Sequence, residues 1–165
     1  MMGQVRNCAD LGINAQYIIK RLLANQNLLK LLYYTDKDPL GHEDLTEEQI
    51  QQEVFGKLVK IVPRIGPKET AHSMVVLRIA RGRGLVTNNE FKNVFVNIEV
   101  FVPQTQWIIK DTNLRPFAIM GEVQKSLNGK KIEGLGKMTG GDFDLNFMSE
   151  EMTAYEQDFV ITSYD

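Results

Sequence analysis

The stretch "GLGKMTGG" (134–141) gathers four glycines, a lysine and a threonine, the residue types that cradle phosphate. A P-loop requires Gly-x-x-x-x-Gly-Lys-Ser/Thr between a strand and a helix. Here Met138 follows Gly136 and Lys137, Thr139 comes one position late, and Lys131 stands where the first glycine is needed. The dinucleotide fingerprint Gly-x-Gly-x-x-Gly fails as well, because Thr139 occupies its third glycine position. The stretch follows a helical pattern and leads into a strand pattern, so no helix N-terminus faces a phosphate. The expected role is a helix-to-strand connection in which Gly140 and Gly141 take unusual backbone angles, with Lys137 in a contact loop. No cofactor is expected.

Other chemistry is sparse. Asp142 and Asp144 alternate with Phe143, Leu145 and Phe147, so the two carboxylates share a strand face. Such a pair suits acid/base work or a metal. More often such a pattern is the solvated side of a half-buried strand. His42 and His72 have no partner at ligand spacing, and the single thiol, Cys8, completes neither a disulfide nor a zinc site. No catalytic set and no metal ligands emerge. The densest charge feature is Arg78, Arg81 and Arg83, set among glycines at or beside a hairpin tip. It reads as a surface for phosphate or an acidic protein, or as a solvated tip. Trp107, in "FVPQTQWIIKD", reads as a connection tucked on the core or as an apolar anchor for a partner subunit.

The chain has 165 residues, 43% hydrophobic and 24% charged, which fits one globular domain rather than a disordered segment. A net charge of −2 disfavours broad nucleic-acid binding and leaves only a local basic patch. The start "MMGQVRNCADLG" has no apolar signal core, and no apolar run reaches bilayer length. A soluble protein made in a cytoplasm is expected, without a membrane partner.

Periodicity predicts a helix over 13–34, with Ile18, Leu22, Leu29 and Leu32 inward and Lys20, Arg21, Asn25, Gln26 and Lys30 outward. Thr46 followed by two glutamates and a glutamine predicts an N-cap and a short helix to about Phe55. Residues 62–69 read as a proline-punctuated link. Strands are predicted at 72–80 and 91–102. In the second, Val94, Val96, Ile98, Val100 and Val102 share one face, while Phe95, Asn97, Glu99 and Phe101 share the other. A helix over 114–129 follows, with Phe117, Met120, Val123 and Leu127 as its buried stripe. Strands at 142–148 and 153–164 close the chain. The expected fold is α+β: one domain over 1–165, a mainly antiparallel sheet of about four long strands, a leading helix, and a second helix packed on the sheet. Residues 35–69 form an acidic, proline-containing insertion carrying the short helix.

In layout, "SMVVLRIARGRG…FKNVFVNIEVFVPQTQWI", "LRPFAIMGEVQKSLNG" and "GGDFDLNFMSEEMTAYEQDFVITSY" together resemble the tail-terminator and head-to-tail connector (neck) proteins of tailed bacteriophages. The stretch 35–69 is longer and more acidic than that layout needs. The resemblance implies a non-catalytic virion protein assembled in the host cytoplasm as a homo-oligomeric ring, with a hexamer favoured. The ring would sit at the neck and tail, between the tail tube and the neck or portal-complex proteins, with DNA passing through its channel without specific binding. It assigns subunit or partner contacts to Arg78, Arg81, Arg83, Lys137, Phe95, Phe101 and Trp107. The competing readings are a small nucleic-acid-binding module using the Arg78–Arg83 loop and a small enzyme built on Asp142 and Asp144.

Overall fold

A computed structural model describes residues 8–61, 72–84, 91–132 and 136–162. The predicted link at 62–69, the hairpin tip at 85–90, and Gly134 and Leu135 lie outside the described residues.

The leading helix is two helices, α1 (Cys8–Leu23) and α2 (Gln26–Tyr33). Asn25 causes the break. Its backbone is extended and its side-chain oxygen accepts from the Leu28 N–H, capping α2. Its side-chain NH2 donates to the Glu122 backbone oxygen, Glu122 Oε2 and Ser126 Oγ, at 3.2, 3.0 and 2.9 Å. A residue expected on a solvated helix face therefore sets the angle between helices. The predicted apolar stripe holds: Ile18, Leu22, Leu29 and Leu32 are fully buried. Lys30 does not face solvent freely. It is buried along its stem and pairs with Asp44 at 2.8 Å.

Thr46 and Gln49 form a reciprocal capping box that opens α3 (Glu47–Gln49), and a π-turn over Ile50–Val54 carries it to Phe55. Residues 35–61 are integrated into the core, not looped out of it. Leu45, Val54, Leu58 and Val59 are buried, and β1 (Val59–Lys60) pairs parallel with β2 (Met74–Gly84).

The sheet has six strands in the order β1-β2-β3-β6-β5-β4, all neighbours antiparallel except β1 and β2. Its four long strands are β2, β3 (Phe91–Pro103), β5 (Gly136–Met148) and β6 (Met152–Thr162). Two-residue strands, β1 and β4 (Lys131–Ile132), sit at the rims and were too short for a periodicity signal. Helix α4 (Arg115–Leu127) lies over β3 and β5, α1 over β1 and β2, and α2 packs on α4. The fold is α+β, as expected.

Three assignments change. The segment 136–141 is strand, not a connecting loop: Lys137, Met138, Thr139 and Gly140 pair in succession with Thr162, Ile161, Val160 and Phe159. Gly140 has φ +134°, and a Cβ there would lie 2.5 Å from the Asp158 backbone oxygen, so its glycine serves strand packing. Phe117 is 40% exposed, and Ile119 takes the buried place expected for it. Phe101, assigned to a partner contact, is buried, as are Asn97 and Glu99 on the same face of β3: the three are 9, 5 and 6% exposed.

Arg115 ties the layers together. Its side chain is fully buried. Its guanidinium donates to the backbone oxygens of Gln106 (2.9 Å), Tyr34 (2.8 Å), Leu31 and Asp36. Arg115→Lys, with a narrower donor fan, is expected to leave at least one carbonyl unpaired and lower stability by about 2–4 kcal/mol in urea unfolding. Asn25→Ala is expected to cost roughly 1–3 kcal/mol. Asn25→Asp keeps the cap but faces Glu122 with a second charge. If it unfolds at the wild-type midpoint, the contact with α4 contributes nothing.

Candidate functional site

The chemistry-bearing residues collect on the sheet face opposite the helices. Cross-strand pairing fixes which residues share it. Arg78, Asn97, Asp158 and Asp142 form one row, and Glu99, Glu156 and Asp144 the next. Above them lie Arg81, Phe95, Val160 and Thr139, then Arg83, Asn93, Thr162 and Lys137.

The register slips between Ile79 and Arg81, leaving Ala80 as an extra residue. Without that bulge, Arg78 and Arg81 would point to opposite faces. With it, all three arginines project to the same side. They line β2 and run up to its end beside the 84–91 connection, Arg83 opposite Asn93 and Gly84 opposite Phe91.

Arg78 bonds Asn97 Oδ1 at 2.8 Å, Glu99 Oε1 at 2.8 Å and approaches Glu156 at 3.8 Å. Asn97 in turn donates to Glu156 (3.3 Å) and Asp158 (3.0 Å). Asn146 Nδ2 donates to Glu99. Arg78 is thus engaged within the chain. Arg81 and Arg83 are exposed, with guanidinium carbons 6.0 and 5.5 Å from the half-buried Phe95 ring. Lys137 is exposed at the opposite end of Arg83's row.

The paired carboxylates stand where sequence placed them, on one strand face, but the sheet sets others directly across. Asp142 is opposite Asp158, and Asp144 is opposite Glu156. Like charges directly opposite destabilise a sheet. Among the described residues, no group of three His, Cys, Asp or Glu could hold a metal ion.

Two assigned contacts sit elsewhere. Phe101 is a core residue, opposite Ala154 and only 9% exposed, so it has little surface to give a partner. Trp107 packs half-buried against the core, 6.3 Å from the Tyr155 ring on the helix side. That matches the tucked connection. His42 is held on Tyr34 by stacking at 3.9 Å and bonds Asp36 at 2.6 Å. Cys8 is exposed.

Sequence reasoning missed an apolar surface on β5. Phe143, Leu145, Phe147 and Met148 are 52, 51, 51 and 57% exposed. Phe143 also contacts Phe117 and Tyr155, with ring centroids 5.9 and 6.1 Å away. Alternation correctly signalled a strand with an apolar side. It could not signal that α4 covers only part of that side, or that a second register slip at Asn146 turns Phe147 to the polar face beside Ala154. The surface is therefore an aromatic edge strand bordered by carboxylates, with an arginine strand at the other side of the sheet. No helix among the described residues is long and apolar enough to cross a membrane.

Arg78→Met is expected to lower stability by about 1–3 kcal/mol, because Glu99 is left buried without its cation. Adding Glu99→Gln should recover most of that loss. A double variant as unstable as the sum of the two single variants would remove the pair from the account.

No curated protein matches the chain. A family model, YomW, matches residues 25–161, which include the segment 35–61, the three arginines, the carboxylates and the exposed apolar residues of β5. The chain belongs to the YomW family, a phage-associated family.

Proposed function

We propose that this protein is a non-catalytic structural component of the phage particle. It assembles as a homo-oligomeric ring, with a hexamer favoured, at the neck and tail junction around the DNA channel. The tail tube and the neck or portal-complex proteins are its partners, and its place is that of a tail terminator or head-to-tail connector. The supporting observation is the uncovered apolar surface of β5, where Phe143, Leu145, Phe147 and Met148 are each more than half exposed. A long edge strand with that composition is an association or aggregation site unless another chain covers it. Membership of a phage-associated family supports the virion setting, and the layout of helices and hairpins supports the neck and tail position.

The nucleic-acid reading has less to draw on. Arg78 is bonded to Asn97 and Glu99, and the two rows below the exposed arginines carry five carboxylates, Asp142, Asp158, Glu99, Glu156 and Asp144. Two exposed arginines beside an acidic sheet face make a poor phosphate track.

Light scattering and negative-stain imaging of the purified protein, alone and mixed with tail-tube and neck proteins, test the proposal. Closed rings with a central hole are expected in at least one of those mixtures. A monomer in all of them sinks it, and a monomer that binds short oligonucleotides with steep salt dependence favours the nucleic-acid reading.

A further inference from the structure

Among the described residues the sheet has two open edges, and they differ in kind. On the outer side of β2, β1 pairs only with Val75 and Val76. Among the described residues no strand pairs with Leu77–Gly84 on that side. On the outer side of β5, β4 pairs only with Gly136 and Lys137, and no described strand pairs with Asp142–Met148. The first edge carries exposed arginines among glycines; the second carries aromatics among aspartates.

We propose that these edges are the two halves of one interface between copies of this chain. The β5 edge of one copy pairs antiparallel with the β2 edge of the next, Asp144 opposite Arg81 and Asp142 opposite Arg83. This rests on the ring reading only for closure of the chain of copies.

Strand direction permits the pairing. Successive antiparallel neighbours from β2 through β3 and β6 leave β5 running opposite to β2. A copy placed beside another in the same orientation therefore meets it with an antiparallel ladder.

The register follows from charge, and side-chain facing agrees with it. Arg81 shares the sheet face of Phe95, and Asp144 shares that of Glu99. Phe95 and Glu99 point the same way on β3, so the guanidinium and carboxylate meet on one face. The same alignment sets Phe143 opposite Gly82. Phe143 pairs with Gln157 and Gly82 with Val94, both on the helix face, so the half-exposed ring can cover the bare glycine backbone. The neighbour's arginines also answer the like-charge pairs, Asp142 with Asp158 and Asp144 with Glu156, that each copy carries alone. Pairing β5 with itself would instead set aspartates together, and pairing β2 with itself would set arginines together.

The stagger suits a closed ring. The rows of Asp144 and Arg81 lie four residues apart along β3, from Glu99 to Phe95. At ~3.3 Å per residue the offset is roughly 13 Å, against a width of roughly 19 Å for the long strands at ~4.8 Å spacing. The strands then tilt by about 35°, within the range of closed barrels.

The test uses the full chain with Cys8→Ser. Gly82→Cys and Phe143→Cys are made separately, and each is checked by circular dichroism and thermal unfolding to be folded as the parent is. Under mild oxidation a covalent dimer is expected when the two are mixed, and from neither alone. Asp142→Arg with Asp144→Arg should abolish self-association of that variant, leaving it able only to cap the β5 edge of the parent chain through its intact Arg81 and Arg83. Mixing that variant with Arg81→Asp plus Arg83→Asp should restore association.

Rings without the mixed disulfide overturn this interface and leave the ring. The mixed disulfide in open chains of copies keeps the interface and overturns the ring. A dimer from Phe143→Cys alone overturns the head-to-tail arrangement. Folded variants that form neither disulfide nor assembly overturn the pairing.

Discussion

The helical layer is held to the rest of the chain by one buried cation. Arg115 opens α4 and donates to backbone oxygens at the end of α2, in the turn that follows it, and in the connection after β3. Burial lowers its pKa from the usual value, and the charge of Asp36 acts against that shift. A cation with no carboxylate bonded to it is costly to bury. Here a fan of carbonyls at fixed positions compensates, drawn from a helix end, a turn and a connection. The arrangement is rigid for the same reason. Moving any one of the attached segments would strand a carbonyl or a guanidinium proton.

That rigidity leaves the sheet free to differ on its two faces. The helix side is a continuous apolar core from Leu77 and Val96 to Phe159 and Met138. The other side is a grid of charge whose layout depends on one-residue slips at Ala80 and Asn146, and on a third at Gly141. The first slip aligns the arginines and the second moves Phe147 among the polar residues. A bulge costs a ladder bond and reorients every residue beyond it, so these single residues decide what the outer strands present to a partner.

The segment after α2 illustrates how composition can mislead. It is acidic and proline-containing, and it invites treatment as an insertion. In the fold it supplies a capped helical turn, four core residues and the strand beside β2. The YomW match runs through it. Its acids lie on the outside of a segment whose Leu45, Val54, Leu58 and Val59 point inward, the ordinary solution for a short stretch covering a sheet margin.

The sequence by itself determined the α+β class, the long strands, the α4 helix and the inward stripe of the first helices, because each repeats a periodic signal over many residues. It determined that Asp142 and Asp144 share a face, since alternation within one strand requires it. It also carried the capping signature at Thr46, which is local chemistry. What only the tertiary structure decided was everything that depends on a partner distant in the chain. Asn25 breaks a helix because Glu122 and Ser126 stand beside it. The glycine stretch 136–141 is strand because β6 pairs with it, Phe101 is core and Phe117 surface because of how the layers overlap, and the arginines line an edge because the register slips at Ala80. Those outcomes are set by cross-strand register and packing, and neither is written in the spacing of residues along one segment.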